Sequence, residues 1–374
     1  MQLVTAFKDD GWQISFVADA REGASTEALR QLGVICTRLA PNDSAFDAHV
    51  AALKPDVTFF DKFTTEEKFG WRVRSAWPAS LRVLDTIDLH FLRLGRDKNV
   101  AANDIALREV AAIYRSDLSL LTSDHEMRLL QSACNVPASL LHVCRLAYPP
   151  LNATKAFHDR QHFAMVGNYK HPPNAEALIW LKKEIWPLIR QKMPNARVDV
   201  WGSYAGPEHL SQHAPDDGFY VQGHNEAHWE DLAKRRVNLA PLRAGAGIKG
   251  KIADGWWLGT PAVTTAIGAE GMHTGLPFGG LIRDDAAAIA DAAVALHEDE
   301  ALWNTSAADG RHLIESLYLA NSTTTPLLNR IGMLRDYLDE ARLANFTGAM
   351  LWQQGLRATE YFSRWIELKE QRLP

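Results

Sequence analysis

The sequence has few cysteines, no long apolar run and no excess of basic residues. Its three cysteines, Cys36, Cys134 and Cys144, have no metal-ligand spacing, which argues against a disulfide scaffold and for a reducing compartment. No stretch approaches the ~20 apolar residues that span a bilayer. The net charge is −5 and no basic run is present, which excludes an electrostatic footprint for nucleic acid. We therefore expect a cytoplasmic protein without a nucleic-acid partner, and a peripheral contact with the inner face of the membrane stays open.

Short apolar runs alternate with longer amphipathic segments along most of the chain. A chain of 374 residues with 47% hydrophobic content can bury more than one core, so we expect about two domains. The alternation predicts parallel sheets covered by helices. The predicted strands are WQISFVA, VICTRL, PDVTFF, LRVLD and LSLLTS, followed by HFAMVG, ARVDVWG, FYVQG, RVNLAP and PAVTT.

The alternation breaks between residues 147 and 160, where AYPPLNATKAFHDR contains two prolines and precedes a fresh strand. We place the domain linker there. The predicted units are an N-terminal domain at 1–152, a second domain at 153–335 and a helical tail at 336–374.

Several polar residues follow the predicted strands of the first domain, at the edge where open α/β sheets bind ligands. An alternative for two of them is helix capping, because Thr64 with Glu67 and Ser123 with Glu126 have the capping-box spacing. We predict capping at these two pairs.

The densest chemical signal lies in residues 240–272, where a strand runs into a glycine-rich loop and then into a helix. The loop contains three glycines and three cations, Gly245, Gly247, Gly250, Arg243, Lys249 and Lys251. Glycines let backbone approach a ligand closely, and a helix N-terminus with added cations suits a diphosphate. Asp254 follows Lys251 by one helical turn and could accept hydrogen bonds from two ribose hydroxyls. The alternative is a solvated loop, since glycine-rich loops alone are weak evidence.

This stretch, APLRAGAGIKGKIADGWWLGTPAVTTAIGAEGM, resembles the donor-site motif of retaining GT-B glycosyltransferases of family 4, in particular a bacterial branch. FAMVGNYKHPPNAEALIWLKKEIWPLIRQKMPNARVDVWG and FYVQGHNEAHWEDLAKRRVNLAPLR resemble the preceding parts of the same donor domain. The resemblance covers residues 162 to about 275. It implies a GT-B fold, with two doubly wound Rossmann-like domains facing a cleft and a C-terminal helical tail.

The resemblance also implies roles for single residues. Arg243 and Lys251 would contact the donor diphosphate, and Asp254 would hold the ribose. Glu270 and Gly271 of the GAEG turn would lie by the sugar or phosphate. The remaining predicted substrate-binding residues are Gly167, Asn168, Gly245, Gly247, Lys249 and Asp88. His90 would face the cleft as a catalytic residue, with helix capping or packing as its alternative role.

The chain departs from the family pattern at three places. Ala246 stands where the first acid of the paired-glutamate motif is expected, and Asn168 stands at an arginine position, with Lys170 offset nearby. The first domain resembles the acceptor-side domain of the same branch, yet its opening strand and glycine-rich loop are missing. A late start site, a shortened sequence or loss of part of the cleft would each explain this.

We therefore predict a glycosyltransferase of the hexosyltransferase type. It would move a sugar, with retention, from a nucleoside diphosphate sugar to a hydroxyl of a glycan, lipid-linked or protein acceptor, in surface polysaccharide or glycoconjugate synthesis. We expect no cofactor and no metal ion. The alternatives are a catalytically impaired GT-B relic that binds nucleotide or protein partners, and a nucleotide-sugar 2-epimerase. The sugar, the base and the oligomeric state stay open.

Overall fold

The computed structural model describes residues 2–96, 103–353, 365, 366 and 369. Within these residues, no helix is both long enough and apolar enough to span a bilayer.

The first half of the chain alternates short strands with helices, as predicted. Its elements are α1 (Gln2–Asp9), β1 (Ser15–Ala18), α2 (Ala24–Gln31), β2 (Ile35–Arg38), α3 (Ala45–Leu53), β3 (Val57–Asp61), α4 (Phe63–Ala76), β4 (Leu81–Asp85), α5 (His90–Gly95), α6 (Asp104–Arg115), β5 (Leu118–Leu121), α7 (Asp124–Cys134) and β6 (Leu141–Val143). The five predicted strands of this half are confirmed. The sequence analysis missed β6, which has only three residues.

All strand pairs of the first half are parallel, and they form two separate sheets. One sheet pairs β1 with β2, and the other has the order β3-β4-β5-β6. In the part of the chain that the structure describes, no strand pairs with the outer edge of β1 or of β3.

The second half repeats the pattern and adds helices at its end. Its elements are β7 (Gln161–Val166), α8 (Pro172–Trp180), α9 (Trp186–Lys192), β8 (Val198–Trp201), α10 (Pro207–Leu210), β9 (Phe219–Gly223), α11 (His228–Leu232), β10 (Arg235–Ala240), α12 (Gly250–Trp257), β11 (Ala262–Thr264), α13 (Ala266–Ala269), β12 (Gly280–Ile282), α14 (Ala286–Glu298), α15 (Glu300–Leu313), α16 (Ala320–Asp336), α17 (Leu338–Ala344) and α18 (Phe346–Gln353). The strands form one parallel sheet in the order β12-β11-β10-β7-β8-β9. The carboxyl ends of β7 and β10 therefore lie side by side.

Helix α16 connects the end of the second half back to the first half. Leu327 and Ile331 are fully buried against Leu81 and Leu118 of β4 and β5. Leu319, just before the helix, pairs with Tyr148 in an isolated parallel bridge. The chain thus crosses between the halves twice, and both crossings lie close together.

One of the two capping predictions is confirmed and the other is wrong. The Ser123 hydroxyl accepts the Glu126 amide at 3.3 Å and caps α7. Helix α4 instead begins at Phe63, so Thr64 lies inside its first turn, and no side chain caps it. Glu67 pairs with Arg108 on α6, because the tertiary ion pair offers its carboxylate a stronger partner than the helix end does.

Candidate active site

The loop between β10 and α12 is shaped by glycines with positive φ. Gly245 has φ 129° and Gly247 has φ 66°, values that side chains with a Cβ rarely adopt. Buried Leu242 before the loop and buried Ile252 after it hold the loop to the core. Helix α12 begins at Gly250, so its unpaired N–H groups and the positive end of its dipole lie beside this loop.

Two lysines flank the start of α12. Lys249 is only 7% exposed, and burial lowers its pKa to about 8. Burial, with the nearby Lys249 charge, also lowers the pKa of Lys251 to about 8. Among the residues that the structure describes, neither lysine forms an ion pair with a carboxylate. The two ammonium groups therefore stand at a helix N-terminus without a neutralising partner, which is an arrangement that favours an anion.

Neutral groups from α8 and from the loop that follows β7 lie beside Lys251. Its Nζ donates a hydrogen bond to the side-chain oxygen of Asn174, in the first turn of α8. Asn174 Nδ2 in turn donates to the Asn168 carbonyl at 2.8 Å. A Cβ on Gly167 would lie 3.1 Å from the Asn174 side chain. Gly167, Asn168 and Lys251 therefore converge on one polar residue that the sequence analysis did not single out.

Arg243 lies at the rim of this group. Its Nε donates to Glu176 Oε1 at 2.7 Å, and its guanidinium carbon stands 4.5 Å from the centre of the Trp180 ring. The side chain is half exposed. Arg243 is thus held by α8, next to the lysines, with its charge already paired.

The Asp254 side chain points to Tyr148, which lies where the chain passes from the first half to the second. The Tyr148 hydroxyl donates to Asp254 Oδ1 at 2.6 Å, and a second hydrogen bond comes from Trp229. Burial raises the pKa of Asp254, although the hydrogen bond from Tyr148 opposes this shift. Lys251 and Asp254 therefore share a helix face by spacing, while their side chains bond to different neighbours.

Arg96 joins the two halves of the molecule. Its two terminal nitrogens donate to the two oxygens of Glu270 at 2.8 Å each, and one of them also donates to the Gly245 carbonyl at 2.8 Å. Burial acts to raise the pKa of Glu270, but the Arg96 guanidinium outweighs it and holds that pKa below its usual value. Arg96 therefore connects the first half to both the glycine-rich loop and the GAEG turn.

Two further contacts bring the loops of the halves together. A Cβ on Gly247 would lie 2.9 Å from the Asp88 Cβ, and a Cβ on Gly271 would lie 2.8 Å from the Ser123 side chain. Both glycines have positive φ. The structure thus places Asp88, Gly245, Gly247, Lys249, Glu270 and Gly271 in one contact region between the halves.

His90 faces its own half. Its Nδ1 lies 3.2 Å from the Asp88 carbonyl and 3.3 Å from Glu109 Oε1, and its ring meets Phe63 edge to face. The hydrogen bond with Glu109 raises the pKa of His90. Glu109 also accepts the amide of His90 at 3.1 Å, so the histidine opens α5 while packing against the core.

The sequence analysis missed Arg96, Asn174, Glu176 and Tyr148. Asn174 had a signal, because Pro172 and Pro173 mark the start of a helix at the carboxyl end of β7. No spacing pattern indicates the other three, whose partners come from distant parts of the chain.

Residues 160–299 match the family described as Glycosyl transferases group 1. No curated protein matches the sequence. HepE from Anabaena, solved in complex with UDP and glucose, is 12% identical with a TM-score of 0.65, and the match covers 90% of this chain and 95% of HepE. Sucrose-phosphate synthase from Thermosynechococcus elongatus is 15% identical with a TM-score of 0.63, over 91% of this chain and 92% of that one.

A mutant of TarM from S. aureus, solved with UDP, fondaparinux and α-GlcNAc-glycerol, is 13% identical with a TM-score of 0.63. The match covers 76% of this chain, which spans only 58% of the TarM chain. The predicted mixed α/β fold is confirmed, with parallel sheets in two halves and a helical C-terminal region. The chain thus has the GT-B fold of these solved structures, and its residues 160–299 match the Glycosyl transferases group 1 family.

Proposed function

We propose that the protein transfers a sugar from a nucleoside diphosphate sugar to a hydroxyl acceptor, with retention of the anomeric configuration. One observation carries the donor assignment. Lys249 and Lys251 stand at the N-terminus of α12 with lowered pKa values and with no carboxylate partner in the described chain. A diphosphate would supply the missing negative charge, and binding it would raise both lysine pKa values and so favour their charged forms.

The same groups could assist the chemistry. In the reaction, the bond between the sugar C1 and the diphosphate oxygen breaks, and a bond from C1 to the acceptor oxygen forms on the same face. The acceptor proton passes to an oxygen of the leaving diphosphate. The lysines and the dipole of α12 would stabilise the charge that grows on the diphosphate as it leaves. No protein nucleophile is needed.

The neighbouring residues support this assignment by position. Gly167 and Asn168 follow β7 beside Lys251, and Arg243 lies in the loop that follows β10. In open parallel sheets, ligands bind at the carboxyl ends of the strands. HepE, TarM and a pneumococcal O-GlcNAc transferase were each solved with UDP, which agrees with a nucleotide as the ligand of this fold. We assign Asp254 to the ribose and Glu270 with Gly271 to the sugar end of the donor.

Turnover separates a transferase from a module that only binds nucleotide. The purified chain is incubated with nucleoside diphosphate sugars and a panel of sugar acceptors, and released nucleoside diphosphate is measured. NMR of the product gives the configuration at C1. We expect release that depends on an acceptor, a product with the donor's configuration, and loss of both in Lys251→Met. Nucleotide binding without release for any acceptor would favour the binding-module alternative, and an inverted product would refute retention.

A further inference from the structure

A cavity of about 670 Å³ lies between the two halves, next to the GAEG turn. The first five residues of α7 contribute Asp124, His125 and Arg128, and the segment from Ala266 to Gly275 contributes most of the opposite wall. Gly271 and Gly275 both have positive φ, which lets the backbone curve around the space. Cavities of this size hold small-molecule ligands.

The acidic side chains of the cavity already have partners. Asp124 pairs with Arg145 and accepts the Thr274 hydroxyl at 3.2 Å, and Glu270 is held by both terminal nitrogens of Arg96. Their charges are therefore neutralised within the protein. An acid on a ligand would meet little repulsion from them.

The basic side chains that line the cavity form fewer ion pairs and hydrogen bonds within the protein. Arg128 is exposed and has no ion pair or hydrogen bond with any residue that the structure describes. His125 Nε2 stands 3.5 Å from Glu270, and His273 Nδ1 bonds the Leu276 carbonyl at 2.7 Å, which leaves the other ring nitrogen of His273 for a ligand. A ligand in the cavity could therefore contact the Arg128 guanidinium and the imidazoles of His125 and His273.

Glu270 connects the cavity to the lysine site. It lines the cavity, and its charge acts on Lys249. The amide of Lys249 also donates to Met272 Sδ, in the segment that forms the wall. A ligand in the cavity would therefore contact Glu270, whose charge reaches the lysine site. A transferase must hold two substrates next to each other, and the lysines take the diphosphate of the first.

We infer that this cavity binds the acceptor, and that the acceptor is a saccharide carrying an acidic group, which Arg128 recognises. The inference builds on the proposed transfer reaction. Arginine holds carboxylate and phosphate through paired hydrogen bonds, so either acid satisfies it.

The test compares three sugars that share one ring: methyl β-glucuronide, the 6-phosphate of methyl β-glucoside, and neutral methyl β-glucoside. Ligand-observed NMR titrations give their dissociation constants with the full chain. We expect at least one acidic sugar to bind about tenfold or more tightly than the neutral one, since a hydrogen bond to a charged group commonly contributes that much. Tighter binding of the glucuronide would indicate that the acceptor carries a carboxylate, and tighter binding of the 6-phosphate would indicate a phosphate.

Three variants locate the effect. Arg128→Gln should remove the preference for acid, Arg128→Lys should retain part of it, and Lys183→Gln, which removes one exposed positive charge from the second half, should retain all of it. Equal binding of acidic and neutral sugars by the wild type, or an unchanged preference in Arg128→Gln, would overturn the proposal. Displacement of the acidic sugar by UDP-glucose would assign the cavity to the donor and would overturn it as well.

The same protein samples are also titrated with UDP. This separates a failure of the proposed donor site from a failure of the acceptor assignment. UDP binding should depend on Lys251 and stay within about twofold in Arg128→Gln, because Arg128 does not contact the lysine site. Absence of UDP binding would remove the proposed function, whereas loss of the acid preference alone would remove only the acceptor assignment.

Discussion

We predict that the affinity for a nucleoside diphosphate falls steeply between pH 7 and pH 9. Lys249 and Lys251 both have pKa values of about 8 in the free protein, because burial disfavours their charged forms. A bound diphosphate favours those charged forms and raises both pKa values. At pH 7 the lysines are largely charged already, whereas at pH 9 binding must first bring protons onto them.

The size of the effect follows from the pKa values. A group with a pKa of about 8 is roughly one-tenth neutral at pH 7 and roughly nine-tenths neutral at pH 9. Each lysine that must be charged in the complex therefore weakens binding about tenfold over this range, and both together weaken it about a hundredfold. The phosphates of UDP contribute little, because the second phosphate pKa is about 6 and lies below the range.

Isothermal titration calorimetry of UDP binding at pH 7, 8 and 9 measures this, in buffers of different ionisation enthalpy so that proton uptake is counted directly. Lys251→Met should bind more weakly at every pH and should keep only the pH dependence of Lys249. Lys183→Met, which removes an exposed lysine, should behave as the wild type. A wild-type affinity that stays constant within about twofold from pH 7 to pH 9 would refute the reasoning.

The same lysines should limit the stability of the free protein. Their folded pKa values lie below the unfolded value of about 10.5, so the unfolded state binds more protons between pH 8 and pH 10.5. Their contribution to stability therefore rises with pH through that window. We expect Lys251→Met to stabilise the free protein at pH 7 by on the order of 1 kcal/mol, with the gain shrinking toward pH 10. Urea unfolding of both proteins at several pH values checks this.

Two further predictions concern the packing of the site. Gly247→Ala should cost about 1–3 kcal/mol of unfolding free energy, since the added Cβ would lie 2.9 Å from the Asp88 Cβ at a φ of 66°. The matched change Gly332→Ala, inside α16 with open space around it, should be neutral or stabilising, and equal losses in both would contradict the assignment of strain. Tyr148→Phe should cost about 1–3 kcal/mol at pH 7 in urea unfolding, because it leaves the partly buried Asp254 carboxyl with only the Trp229 donor; a loss below about 0.3 kcal/mol would show that the bond from Tyr148 is dispensable.

The sequence predicted the strands well because each is a short apolar run bounded by turn residues. The strands missed, β6 and β12, have three residues each; β11 is as short, but it lies in the run PAVTT, which the sequence analysis identified. The start of α4 was misplaced because the spacing of Thr64 and Glu67 fits a capping box, while the tertiary pair of Glu67 with Arg108 decides the outcome. Local signals fail where a distant partner competes for the same side chain.

In the candidate site, too, the local features were predictable from the sequence and the long-range contacts were not. The density of glycine and lysine between residues 243 and 251 indicated an anion site, and that signal is local. Arg96 and Glu270 are 174 residues apart in sequence, so only the fold brings them into contact. Asp254 was expected to face a ligand from its spacing and from the family resemblance, and the sequence does not reveal that Tyr148 already donates to it.

The most direct test of the central claim is a thermal-shift panel of nucleoside diphosphates and their sugars on the wild type, Lys251→Met and Lys183→Met. A ligand at about 100 times its dissociation constant stabilises the state that binds it by about 2.7 kcal/mol. We predict that one donor raises the melting temperature of the wild type and of Lys183→Met by several degrees and leaves Lys251→Met unchanged. If no nucleotide or nucleotide sugar shifts the wild type at millimolar concentration, the lysine site is not a donor site.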